Sequence, residues 1–265
     1  MISREIHLVR HPQGAPRLSD FRLVETVVPE PRDDQVLVHN RYFALAAVMR
    51  TLMSGVEIGM PLGTYRPGQV LFGSAIGEVV DAGPAAPDGL RFGDLVMHHY
   101  GWREYVVEAA DRFRRLDPGT LPDPILHLGQ GLTAYAGLLR VALPDGIDVC
   151  FDNVGGEQLA AAIELARPGA RYALCGALDN QLGGRSAAVS VDPVELIGRR
   201  LTLSGFHVAD HRDLQEPWLE DFSGWLREGR IDVPRVVVPG LDAAPAALIS
   251  LLSGGYTGMV VVAIG

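Results

Sequence analysis

His98-His99-Tyr100, at the end of a β-patterned run, is the strongest acid/base candidate in this 265-residue chain. Imidazole titrates near neutrality, and an adjacent phenol can orient a substrate carbonyl. Neighbouring strand residues face opposite ways, so at most one of the two histidines points into a given cleft. The same residues also suit a strand end where histidines cap backbone groups. A second set of polar residues lies where apolar strand patterns stop: Asp152-Asn153, Asn180, and His207 with Asp210 and His211. Asp152 and Glu157 read equally well as groups that cap the following helix and satisfy loop amides. Tyr42, Met49, Arg50, Tyr65 and Trp102 complete the candidate binding surface. Arg50 could hold a carboxylate, an acyl enol or a phosphate, or a surface ion pair. The catalytic candidates are therefore His98, His99, Tyr100 and Asp152. Tyr42, Met49, Arg50, Tyr65, Trp102, Asn153, Asn180 and His207 are the substrate-binding candidates.

Other chemistries lack their residues. All 23 basic residues are Arg, which excludes lysine Schiff bases, and a net charge of −9 without basic clusters argues against nucleic acid. There is no His-Glu-x-x-His, no Cys/His cluster and no Gly-x-Ser-x-Gly elbow, so neither a metal site nor a serine nucleophile is expected. Cys150 and Cys175 sit in apolar strand patterns as small hydrophobes. No apolar run approaches membrane-spanning length and the N-terminus lacks a signal-like core, so a soluble cytoplasmic protein is expected.

The elements that must position these residues change character along the chain. Up to about residue 118, short β-patterned runs at 4–9, 21–28, 35–40, 70–80, 94–99 and 104–107 alternate with Gly/Pro turns. Beyond it, helices at 131–142, 157–166, 192–198, 217–228 and 242–252 alternate with strands at 147–152, 170–175, 201–207, 235–238 and 256–264.

Several fragments match one family in order: Gly131-Leu132-Thr133-Ala134-Tyr135, Gly137-Leu138-Leu139, Phe151-Asp152-Asn153-Val154-Gly155-Gly156-Glu157, Cys175-Gly176-Ala177, Arg200-Leu201-Thr202 and Gly205-Phe206, with Gly101-Trp102 before them. Together they resemble the medium-chain dehydrogenase/reductase superfamily, in its branch of zinc-free NADP-dependent double-bond reductases of the leukotriene B4 dehydrogenase/prostaglandin reductase type. The resemblance implies an α/β plus β fold. A GroES-like β domain would span 1–118, with the strand of 256–265 returning to it. A Rossmann-like parallel-sheet domain of about four strands would span 119–255. It is expected to be truncated, because Leu143-Pro144-Asp145-Gly146 stand where the family carries its Gly-rich phosphate loop and the first half of the dinucleotide fold.

The expected consequence is loss of the cofactor. Gly129-Gln130-Gly131 follows no convincing strand. Gly155-Gly156 follows a strand and opens a helix, so it could hold some anion, although the family places this segment at the nicotinamide end. Two further departures are Ala46-Ala47-Val48, where the family has Asp-Pro-Tyr, and Asp179-Asn180-Gln181, where it has a tyrosine. These departures lead to the expectation of a cofactor-independent enzyme without bound NADP. It would act on a small hydrophobic, polyketide-like unsaturated carbonyl in a repurposed reductase cleft. Cyclisation, pericyclic or conjugate-addition ring closure, or isomerisation in secondary metabolism would draw on shape and carbonyl polarisation. The alternatives are an NADPH-dependent enoyl or quinone reductase and a non-catalytic relative that binds a small ligand. A homodimer is expected to cover the truncated sheet edge.

Overall fold

Two apolar runs, Val36-Leu37-Val38 and Phe43-Ala44-Leu45, flank a polar centre in Gln35–Leu45, and they form an eleven-residue strand in which both runs are buried. In the computed structural model, which describes residues 1–55, 63–83, 90–129, 131–136, 149–178 and 189–265, this strand organises the first of two compact units. That unit comprises Met1–Gly129 and Trp225–Gly265. Its strands are β1 (Ile2–Leu8), β2 (Phe21–Val27), β3 (Gln35–Leu45), β4 (Ala75–Ala82), β5 (Leu95–His98), β6 (Tyr105–Ala109) and β7 (Arg114–Arg115). A short helix, α1 (Met49–Leu52), follows β3. β1 and β2 pair antiparallel, with Ile6 opposite Leu23. β3 pairs antiparallel with β4 and β6, and the order β3-β4-β5-β7 continues the sheet. Gly77 is what lets β4 approach β3. A Cβ there would lie 2.3 Å from Val38 Cγ1 and 2.8 Å from the His39 carbonyl.

The second unit, Gln130–Gly224, holds the alternating part of the chain. α2 (Gly131–Ala136) opens it; the remainder of the expected helix, and the junction at 143–146, lie outside the described residues. β8 (Val149–Asp152), β9 (Arg171–Leu174) and β10 (Thr202–Gly205) form a parallel sheet in the order β10-β9-β8. α3 (Gly156–Glu164) buries Leu159 and Ile163 on one face. α4 (Pro193–Arg199) begins where the Asp192 side chain accepts from Val194 N, with Pro193 in the first turn. In α5 (Gln215–Arg227) Trp218 and Phe222, one turn apart, stack at 4.8 Å.

Two elements sit elsewhere than the alternation of the sequence implies. β11 (Arg235–Pro239), read as a fourth strand of the parallel domain, pairs in parallel with β12 (Met259–Ala263) in the first unit. β12 in turn lies antiparallel to β3, with Val262 opposite Phe43. The valines of β12, Val260, Val261 and Val262, are almost fully buried against β3, whereas β11 at the sheet edge leaves Val237 exposed. α6 (Ala244–Leu252) accompanies them, packing Ala244, Ala247 and Leu248 into the core beside Phe43 and Trp102. Asp242 does not cap this helix, because its carboxylate pairs with Arg4 at 3.1 Å. Among the described residues no helix is long and apolar enough to cross a membrane.

Candidate functional site

The residues singled out above fall into both units. In the first unit, alternation along the end of β5 separates the two histidines. His98 is 2% exposed and lies in an apolar cluster, its ring edge-on to Phe113 at 5.2 Å. Its Nδ1 accepts from Tyr100 N at 3.1 Å, which places the proton of a neutral ring on Nε2; that atom is buried without a partner. Burial first, then the charges near His99 and Arg103, pushes its pKa down to about 3. A ring so placed is held neutral and out of reach of a substrate. His99 points the other way and is exposed, with Nδ1 3.4 Å from Ser74 Oγ. Its neighbours shield it partly from water and lower its pKa. Tyr100 is half-buried, and burial raises its phenol pKa.

The aromatic candidates of this unit are mostly packing residues. Trp102 is completely buried between Phe21, stacked at 6.3 Å, and Phe43, at 5.2 Å. Tyr65 is buried too, and its hydroxyl donates to the Phe72 carbonyl at 2.7 Å. Met49 is buried at the start of α1 with its methyl against Gly73, while Tyr42 and Arg50 are half-buried. Asn40 escaped the sequence reading. It is fully buried in β3, and its Nδ2 donates to the carbonyls of Tyr100 and Arg103 at 3.0 and 2.8 Å, fixing the loop that carries the candidates. Its neighbours His39 and Arg41 make it look like one more polar residue of the strand, so only its burial marks it out.

In the second unit, Asp152 ends β8, 7% exposed. Its Oδ1 accepts from the amides of Val154 and Gly155, both at 3.2 Å, and its Oδ2 from Gly155 at 3.0 Å. The carboxylate therefore shapes the turn into α3, in which Gly155 and Gly156 both take positive φ, 74° and 56°. Asn153 next to it is exposed, and Gly176 packs so closely that a Cβ would come within 2.8 Å of the Asn153 carbonyl. His207 is exposed past the end of β10, its Nδ1 accepting from Ala209 N. Asn180 lies outside the described residues. Cys150 and Cys175 are free thiols; burial, then Asp152, pushes Cys175 up to about 11. Replacing Asp152 with Ala strands two amides of a buried turn and should cost about 1–3 kcal/mol in urea unfolding. A change below a few tenths would show that the turn holds itself.

Two family models cover nearly the whole chain. One, described as the N-terminal domain of oxidoreductase, matches residues 4–116. The other, described as zinc-binding dehydrogenase, matches residues 130–262. The chain belongs to this zinc-binding dehydrogenase family, within the medium-chain dehydrogenase/reductase superfamily. The superfamily's two-part fold, a GroES-like domain and a Rossmann-like parallel-sheet domain, is the fold of this chain. Despite the family's description, no group of three or more His, Cys, Asp or Glu among the described residues is arranged to hold a metal.

Several of the sequence relatives it resembles are named as oxidoreductases or reductases. An NADP-dependent oxidoreductase of Bacillus subtilis (strain 168) is 26% identical over 332 aligned positions, covering 96% of both chains. The NADPH-dependent curcumin reductase of Escherichia coli (strain K12) is 25% identical, covering 96% of this chain and 95% of the relative. A crystal structure of CurA from Vibrio vulnificus in complex with NADPH superposes with a TM-score of 0.88 over 99% of both chains, at 23% identity. These findings overturn the expectation of a cofactor-independent cyclase without NADP. The two sequence relatives just given, matched over nearly their whole length, are named for NADP(H)-dependent oxidoreduction and not for cyclisation.

Proposed function

We propose that this protein is an NADPH-dependent reductase of carbon–carbon double bonds conjugated to a carbonyl. The observation that carries this reading is the end-to-end alignment with reductases, including the NADPH-dependent curcumin reductase of Escherichia coli, the NADP+-dependent 2-alkenal reductase of Nicotiana tabacum and prostaglandin reductase 1 of Bos taurus, the last two each 24% identical. In the net reaction the double bond gains a hydride and a proton, and NADPH becomes NADP+. The alignment with the Bacillus relative runs over 332 positions, more than the 265 residues of this chain, so part of the relative has no counterpart here. We place that shortfall between α2 and β8, where the resemblance puts the missing part of the dinucleotide fold. Of the candidate residues, His99, Asn153 and His207 have exposed side chains and are assigned to polar contacts with substrate or cofactor in their respective units. His98, Tyr65 and Trp102, all buried, are assigned to packing.

The direct test is to mix the purified protein with NADPH and a small series of conjugated enals and enones. The expected result is consumption of dihydronicotinamide in step with appearance of the saturated carbonyl compound. An enone that binds tightly but leaves unchanged, with NADPH unconsumed, would instead support a non-catalytic relative.

A further inference from the structure

Asn40 holds the loop that joins β5 to β6 by its carbonyls. Its Nδ2 donates to those of Tyr100 and Arg103, and its backbone N to that of Glu104 at 2.8 Å. Tyr100 and Arg103 stand three positions apart, so one side-chain amide clamps both ends of a turn. Inside that turn Trp102 takes a φ of 66°, a left-handed conformation that a residue with a Cβ adopts at a cost and keeps only where its neighbours impose it. Stability alone does not account for the asparagine. Its Oδ1 is buried with no partner among the described residues, and an unpaired buried acceptor opposes folding.

His99 lies on the same loop, one residue before the first clamped carbonyl. Its own carbonyl accepts from Gly73 N at 3.0 Å, and Tyr100 N donates to His98 Nδ1. The exposed imidazole therefore projects from a backbone that is pinned on both sides of Tyr100. We propose, resting on the reductase reading and on the contact assigned there to His99, that Asn40 is a positioning residue: it holds the 99–104 loop so that the His99 imidazole donates to the substrate carbonyl. Displacing that base by an ångström would weaken recognition of the enone without emptying the core.

Two substitutions test this. Asn40→Leu keeps the bulk and removes both donated bonds, whereas Asn40→Ser keeps a single donor. Each is made alone and together with His99→Ala, and the KM for an enone is measured with NADPH on the folded fraction. Asn40→Leu should raise KM about tenfold and Asn40→Ser by less, as His99→Ala itself should. In the His99→Ala background neither should add more than about twofold, because the residue they act through is gone. A merely structural asparagine would lower the amount of folded protein and leave KM at the parent value. That result, an equal rise of KM in both backgrounds, or a His99→Ala variant with the parent's KM would overturn the inference and leave enone reduction by the parent intact. If Asn40→Leu does not fold, the Asn40→Ser pair decides by the same comparison. No NADPH consumption by the parent with any enone would remove the reductase reading and this inference with it.

Discussion

Lowering the pH from about 7 to about 4.5 is expected to remove roughly 2–3 kcal/mol of folding stability through His98 alone. The ring is 2% exposed and its folded pKa is pushed down to about 3, against about 6.5 for a histidine in an unfolded chain. Between those values the unfolded chain binds a proton that the fold refuses. His98's contribution is therefore fully present above about pH 6.5 and is lost progressively as the pH falls toward 3, at about 1.4 kcal/mol per pH unit. His127 acts in the same direction. It is buried in the turn before α2, and burial, then Arg114, lowers its pKa to about 4. Urea unfolding across this range measures the slope. His98→Asn, whose side-chain oxygen can take the place of Nδ1 as acceptor for Tyr100 N, should show a shallower acid limb even if it is less stable throughout. Identical slopes in variant and parent would rule out His98 as the source.

The histidine pair shows how far sequence could reach at this site. Alternation alone said that His98 and His99 face opposite ways. Which one enters the apolar cluster depends on Phe113, which packs against His98 from beyond β6, and no local pattern reports that contact. The order of short β runs followed by helix–strand alternation was enough for the fold class. It could not say that β11 and β12 pair with each other in parallel, because valine runs suit either sheet and the partner strand decides. At Asp152 the helix-capping and active-site readings looked alike in sequence. The bonds to Val154 and Gly155 needed coordinates to be seen.

The cofactor expectation failed for a different reason. A glycine motif not recognised in a sequence does not state which reaction the chain performs. Nucleotide affinity is spread over nicotinamide, riboses, phosphates and adenine, and the loss of one set weakens binding without abolishing the rest. The fragments that carry the resemblance, such as Asp152–Gly156 and Cys175-Gly176-Ala177, lie at the carboxyl ends of β8 and β9. Ligands of parallel sheets bind beyond those ends. These strand ends are thus a place where chemistry can be set, and the whole-length likeness to NADP(H)-dependent relatives outweighs a motif not recognised in the sequence.

Trp102→Ala should cost about 3–5 kcal/mol of folding stability, enough to unfold much of a marginally stable protein. Trp102 is completely buried among Phe21, Phe43 and Met49, residues from β2, β3 and α1 that are remote from it in sequence, and Ala leaves a cavity where all of them meet. Its backbone carbonyl also accepts from Ile6 N, tying β1 to the core, so the loss should extend to that strand. The residue takes a left-handed φ of 66°, which Ala bears no better than Trp, so the substitution relieves no strain to offset the cavity. Trp102→Phe keeps much of the stacking and should lose less. Urea unfolding measures the cost, and enone kinetics on the folded fraction separate packing from recognition. A packing residue lowers the amount of active protein and leaves KM near the parent value. A raised KM with unfolding free energy within about 1 kcal/mol of the parent would mean that the indole touches substrate, and that its burial is lifted when substrate binds.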